Sequence, residues 1–279
     1  MAFSLRGFVP GRRGPVIPVV RLAGTIGSIG VPFRRNLTLA SVEGPLARAF
    51  AYKAAPAVAI LVNSPGGAAA QSHLIHKRIR ALAEEKKKTV TVAVEDLAAS
   101  GGYMIALAGD EIVVDTSSIV GSIGVVSAGF GFPRLLERIG VERRVYTAGE
   151  SKAMLDPFRP EREDDVARLR AIQEDVHAAF IALVKARRGK TLADDPDLFS
   201  GAFWSGTRAV ALGLADRVGD LRSLMRERYG DDVRLRPIPT ERNVWRRRLG
   251  LDRDDQAALA VDRLVAAVED RLLWGRFGL

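Results

Sequence analysis

The sequence predicts an α/β fold, a mostly parallel sheet with flanking helices, and three observations carry that prediction. Apolar, β-branched runs recur along the chain, as in AVAILVNSPGG over residues 57–67. Their apolar residues are continuous instead of alternating, which fits strands covered on both faces, as in a parallel sheet. Each run ends in a Gly-, Pro- or Asn-rich turn and gives way to a segment of helical character, so strand and helix alternate.

Residues 1–15 form a Gly/Pro/Arg-rich lead-in. VIPVVRLAGTI (16–26) reads as a buried strand, and residues 41–53 have helical character. The run at 57–67 is a strand stopped by Asn-Ser-Pro-Gly-Gly, where proline removes a ladder donor and the glycines turn the chain. A helix follows over residues 69–87, and its closing lysines suit the negative end of a helix dipole. TVTVAVED (89–96) is the next strand, residues 100–108 a helix and EIVVD (111–115) a strand. SIVGSIGVVSAGF (118–130) is glycine-broken and extended, PRLLERIG is a short helix ending at Gly140, and VERRVYTAG (141–149) is expected to form another strand. A long amphipathic helix covers residues 161–188, and SGAFWSGTRAVALGLADRVGD (200–220) closes the compact part. The expected organisation is a lead-in (1–15), an α/β domain (16–238), and a basic linker with a terminal helix (239–279).

The chain has 279 residues, 47% hydrophobic and 27% charged, an ordinary composition for a soluble globular protein. It contains no cysteine, which excludes disulfides, thiol nucleophiles and cysteine-bound metals. No segment supplies the ~20 apolar residues that span a bilayer, and the start MAFSLRGFVPGRRGP lacks the apolar core of a secretory signal. A cytoplasmic location is the expectation. The net charge of +9 raises nucleic-acid binding as an option. Much of the excess lies near the C-terminus, however, at Arg234, Arg236, Arg242, Arg246, Arg247, Arg248 and Arg253, with no interleaved stacking aromatics and no nucleic-acid motif. No nucleic-acid partner is expected; an anionic membrane leaflet suits such a tail at least as well. In the terminal helix (254–274), Leu259, Val261, Leu264, Val265, Val268, Leu272 and Leu273 fall on one broad face. That face is read as a core or oligomer contact, with peripheral docking at the inner membrane, helped by Trp274 and Phe277, as the alternative. The mixed charge of the polar face favours protein contact.

Ser100 draws attention because it sits between two alanines and two glycines, after a strand and before a helix. A nucleophile can be held out of the fold on such a turn with backbone N–H groups beside it. A helix N-cap is the alternative reading of the same serine. A hydroxyl nucleophile needs a base to take its proton, and the chain has three histidines. His73 and His76 share a helical face but lack an HExxH-like pattern, so they read as packing or surface residues. His177 lies in the long helix, where solvent exposure is the default. No metal ligand set and no cofactor motif emerges. Lysine is the other base known to serve serine nucleophiles, provided desolvation or a nearby positive field lowers its pKa from about 10.4. Lys86, Lys87 and Lys88 lie in a solvated run. Lys152 is different, in YTAGESKAMLDPFRP, a loop of small residues followed by Met154, Leu155 and Phe158. A lone loop lysine is otherwise solvated.

Taken together, VNSPGG (62–67), ASGGY (99–103), GSIGV (121–125), GESKAMLDPFRP (149–160) and GLADRVG (213–219) resemble, in order, the signal peptide peptidase A family of Ser/Lys peptidases. That resemblance implies a ClpP/crotonase-like core for residues 16–238 and a serine endopeptidase without a cofactor. It implies Ser100 as nucleophile and Lys152 as general base, with the N–H groups of Gly67 and Gly101 as the oxyanion hole. Ser122 resembles the family position whose hydroxyl contacts the lysine amine; a turn-forming serine is its other reading. Gly66, Gly121, Ile123 and Gly124 are expected to border a peptide bound by β-augmentation. In half-length members the serine and lysine come from adjoining subunits, so a homo-oligomer is implied. Extended, apolar peptides such as remnant signal peptides are the implied substrate. Many members carry an N-terminal membrane anchor, whereas this sequence begins almost directly with its first strand. The expectations are therefore a cytoplasmic member, peripheral to the inner membrane through its tail, or a sequence whose start is missing. An acyl-CoA enzyme of crotonase type and an inactive peptide-binding scaffold are the rival readings.

Overall fold

The computed structural model describes residues 14–27, 36–239, 268, 271 and 273–279. In chain order the elements are β1 (Val16–Ala23), α1 (Leu39–Phe50), β2 (Ala57–Ser64), α2 (Ala69–Lys86), β3 (Thr89–Ala99), α3 (Gly101–Ala106), β4 (Glu111–Val114), β5 (Ile119–Gly121), α4 (Pro133–Arg138), α5 (Glu163–Arg188), β6 (Phe203–Ser205), α6 (Gly206–Ala211), β7 (Arg217–Val218), α7 (Leu221–Tyr229) and β8 (Arg234–Pro237). A 3-10 turn, Pro196–Phe199, precedes β6. All eight strands belong to one sheet, ordered β6-β5-β3-β2-β1-β8, with β4 and β7 branching from β3. Every pairing is parallel except β5 with β6. The fold is therefore the α/β arrangement with a mostly parallel sheet that the continuous apolar runs predict.

The burial of β2 shows why those runs lack alternation: seven of its eight residues are buried, because helices cover one face and a smaller apolar cluster the other. On one side Val20, Ile60 and Val92 pack with Leu46 of α1 and Ile75 and Ile79 of α2. On the other Ile17, Ala59 and Val113 meet Leu224 and Met225 of α7. β3 is the hub. Its first half pairs with β4 (Thr91 with Glu111) and its second half with β5 (Ala99 with Gly121). Opposite β2, the register passes from Val62–Val94 to Ser64–Ala98, so β3 carries two surplus residues there.

Two expectations change. VERRVYTAG is not a strand: residues 141–147 pair with no ladder among the described residues, and Val141 and Tyr146 are exposed. β-Branched residues alone do not make a strand without an edge to receive it. Arg234 and Arg236, counted above with the basic tail, instead lie in β8, an edge strand on β1. Charged side chains on an edge guard it against further pairing. Most of the expected helix at 254–274, like the lead-in through residue 13, lies outside the described residues.

Candidate active site

The carboxyl ends of β1, β2, β3 and β5 lie side by side, and parallel α/β sheets offer their ligand crevices along that edge. Ser100 directly follows β3. Its N–H donates to the Gly121 carbonyl (2.8 Å) and its carbonyl accepts from Met104 N–H (3.0 Å), so both of its peptide groups are fixed. The backbone is at φ 51°, ψ −121°, a conformation that costs a non-glycine residue about 1–3 kcal/mol and recurs at functional turns. The hydroxyl makes no capping hydrogen bond to α3. It lines a cleft of about 630 Å³ instead, which removes the capping alternative.

Across this cleft runs the Pro65-Gly66-Gly67 turn. Gly66 and Gly67 adopt φ of 100° and 139°. A Cβ on Gly67 would lie 2.0 Å from the Ile26 carbonyl oxygen, and one on Gly66 would lie 2.8 Å from both Gly101 N and Ser100 Cβ. Only glycine lets these backbones approach. Ser64, fully buried, braces the turn: its hydroxyl donates to the Gly24 carbonyl (2.7 Å) and accepts from Gly66 N–H (3.2 Å). Ile26 clamps it from the other side, donating to Gly66 O and accepting from Ala68 N–H, each at 2.8 Å. Among the described residues, the N–H groups of Gly67 and Gly101 have no acceptor. Two unspent donors beside a strained serine are the elements of an oxyanion site.

The GSIGV segment forms the opposite bank. Ser122, at φ 53°, donates its N–H to the Ala202 carbonyl (2.7 Å) and lines the cleft with Gly124. The Ile123 side chain is fully buried in the core, so this residue offers only its backbone to a peptide, and its carbonyl accepts from His177 Nε2 (3.0 Å).

Ser100, Gly67, Gly101, Ser122 and Gly124 thus share one cleft, with Gly66 behind Ser100 and Gly121 bonded to it. Lys152 is not with them. It is exposed in a turn where its N–H donates to Gly149 O (3.2 Å), and its neighbours Glu150, Ala153 and Met154 line a separate cavity of about 880 Å³. No residue from 125 to 160 is buried. This arm is held mainly by its own contacts: the Arg143–Asp156 ion pair, Arg143 over the Phe158 ring (4.9 Å) and Phe132 against Phe158 (5.7 Å).

Other residues at the cleft escape sequence reasoning. His177, with exposure as its default reading, lines it together with Val176 and Phe180 of α5. So do Leu273, Arg276 and Phe277 at the other end of the chain. The Val176–Phe180 spacing signals a shared helix face, but nothing local shows what that face meets. His76 is a packing residue, as expected: Nδ1 donates to the Met104 carbonyl (3.1 Å). Burial lowers its pKa to about 4 against the pull of that carbonyl, with Arg187, His73 and Arg80 adding to the depression. Among the described residues no cluster of His, Asp or Glu could hold a metal ion.

Comparison with known proteins fits this geometry. The profile of the ClpP-like SDH-type serine proteinases matches residues 4–139. At the level of fold, the chain is similar to a solved membrane-bound stomatin-specific protease, 1510-N in a mutant form, with a TM-score of 0.51 and 17% identity, covering 81% of this chain and 98% of that one. The class is therefore a ClpP-like α/β fold carrying a serine-peptidase-type cleft. The profile of peptidase family S49 matches residues 82–231, and the chain belongs to that family. A Synechocystis sp. protein with a provisional protease name is 31% identical over 230 residues, 80% of this chain and 81% of that protein. A Brucella abortus protein named as a Na(+)/H(+) antiporter is 57% identical over 271 residues, 94% of this chain. The chain spans only 37% of that relative's length, so the antiporter name describes a much longer protein. Among the described residues no helix is long and apolar enough to cross a membrane.

Proposed function

We propose that this chain is a serine endopeptidase that hydrolyses extended, apolar peptides, with Ser100 as nucleophile and Lys152 of a neighbouring copy as general base. One observation carries the reading: Ser100 stands on a strained turn with its hydroxyl unused by the helix, facing a cleft that holds two uncommitted N–H donors. Membership of a peptidase family favours peptide hydrolysis over acyl-CoA chemistry. Leftover signal peptides are one substrate of the required kind.

In this mechanism a neutral lysine amine takes the Ser100 proton as Oγ attacks the scissile carbonyl. The carbonyl π electrons move onto oxygen, where the Gly67 and Gly101 N–H groups and the start of α3 stabilise the charge as it develops. Collapse breaks the C–N bond, the lysine ammonium protonates the departing amine, and an acyl-Ser100 remains. The same amine then deprotonates water, which hydrolyses the ester and restores the serine. Ser122 would orient the amine. A lysine works as a base only where water is excluded. An exposed arm supplies no such dryness by itself, which supports burial of Lys152 against a second copy.

The test is labelling with a fluorophosphonate probe. The intact protein should react and Ser100→Ala should not; equal labelling of Ser100→Ala refutes the nucleophile. Mixed Ser100→Ala and Lys152→Ala subunits should regain activity after subunit exchange. Absence of recovery after verified exchange would place the base within the same chain as its serine.

A further inference from the structure

The last residues of the chain are folded against the cleft. Phe277 is buried with Leu97 and Ala99, among the last residues of β3 before Ser100, and Trp274 and Ile119 pack against this group. The Phe277 ring meets Phe203 of β6 edge-on, with centroids 5.0 Å apart, and its N–H donates to Trp274 O (2.9 Å). An aromatic anchor in such a contact holds this turn in place. From this anchored turn, Leu273, Arg276 and Phe277 form one wall of the same cleft that Ser100, Gly67 and Gly101 line.

The charge on that wall is one-sided. Met104, Val125, Val176 and Phe180 are among its apolar side chains, Ser100, Ser122, Ser200 and His177 are its other polar ones, and among the described residues no lining residue carries a carboxylate. Arg276 brings the guanidinium, exposed, lying 5.9 Å from the Phe277 ring centroid and without a carboxylate partner among the described residues. An arginine there presents planar, paired donors to a carboxylate.

We infer that the C-terminal turn, residues 273–277, is a specificity element of the peptide cleft, in which Arg276 selects apolar peptides that carry a carboxylate and rejects those with a lysine or arginine at the same place. This deepens the peptidase reading and rests on it only for the identity of the ligand as a peptide. The carboxylate comes from an acidic side chain or from the peptide's own C-terminus; both meet Arg276 by the same chemistry.

Equilibrium binding, which needs no turnover, tests it. The Ser100→Ala protein is titrated with fluorescent apolar peptides that differ at one position, Glu, Gln or Lys, each with an amidated end, and with the Gln peptide bearing a free C-terminal carboxylate. The order of affinity should be Glu over Gln over Lys, with about fivefold between extremes at low salt, shrinking as salt is added. Adding Arg276→Glu should reverse that order, a result that loss of folding cannot mimic. If the free-acid peptide alone responds to Arg276→Glu, the carboxylate recognised is the terminal one. Binding of all four peptides that ignores charge in both proteins, or affinities of which none, the free acid's included, responds to Arg276→Glu, overturns the inference. Failure of Ser100 labelling together with a reversed order would overturn the nucleophile and leave the cleft assignment standing.

Discussion

Ser100 and Lys152 occupy two regions of opposite character. The serine closes a strand whose neighbours are buried, its backbone bonded to Gly121 and Met104, its opposing turn braced by Ser64 and Ile26. The lysine rides on residues 125–160, of which none is buried, with Phe130 81% and Tyr146 90% exposed. One half of the proposed chemistry is preorganised within the chain; the other half lies on an arm whose apolar side chains pack mainly on one another and stay largely exposed. Preorganised donors need no rearrangement when charge develops, whereas a base on an exposed arm must first be placed and dried. Under the proposed mechanism, the contrast makes proton transfer, not oxyanion binding, the step most sensitive to assembly.

The largest effects should fall equally on the two regions. Ser100→Ala and Lys152→Ala are each expected to lower kcat by at least about 10³-fold, while neither moves the melting temperature appreciably. A Lys152→Ala protein with near-native turnover would break the comparison, since the arm would then have no chemical role. Next comes Gly67→Ala, which should cut kcat by about 10²–10³-fold and also lower stability by about 1–3 kcal/mol, because its Cβ meets the Ile26 carbonyl. Loss of activity with unchanged stability would mean the turn yields more easily than its clamps imply.

The core region should also carry a pH signature of its own. His76 has a pKa near 4 in the fold against 6.5 for a free imidazole, so between those values the unfolded chain binds more protons. Stability from keeping this ring neutral is complete above about pH 6.5 and is lost as the pH falls toward 4, by about 3 kcal/mol at most. Urea melts of His76→Gln should show a flatter dependence in that window; an unaltered slope would assign the acid sensitivity to other groups. Smallest of all, Tyr146→Ala should change the stability of the isolated chain by no more than about 0.5 kcal/mol, and amides of the arm should exchange with solvent far sooner than those of β2 and β3. Slow exchange in the arm at concentrations where the protein assembles, and fast exchange on dilution, would sharpen the distinction.

The core was legible because its signal is local. Continuous apolar runs closed by Gly/Pro turns place β1, β2 and β3 within a few residues, and the glycines flanking Ser100 mark backbone approach before any coordinates exist. What failed to show depends on partners distant in sequence. VERRVYTAG has strand composition but no free edge beside it, and β8 is a strand only because β1 presents one. α7 and β8 lie beyond residue 220, where the charge-rich sequence carries no continuous apolar run to mark an element. His177 looks like any polar residue on a long helix until its ring is seen on the Ile123 carbonyl. Arg276 and Phe277 lie some 175 positions from Ser100, a separation that no spacing rule bridges. The cap reading of Ser100 was open for the opposite reason: capping and nucleophilic serines occupy the same sequence context and differ only in where Oγ points.

The surplus in β3 has a further consequence. Between Val94 and Ala98 the strand runs four residues while β2 advances two, so the two surplus residues bulge out and Ala98 returns to register opposite Ser64, a device that bends and twists the strand just before the proposed nucleophile. Excising Glu95 and Asp96 would leave Ala98 opposite Ser64 but remove that local bend, turning the alcohol away from the Pro65-Gly66-Gly67 ledge. Aim, in this protein, is a property of backbone slack upstream, and side-chain chemistry acts only once that slack has set the direction.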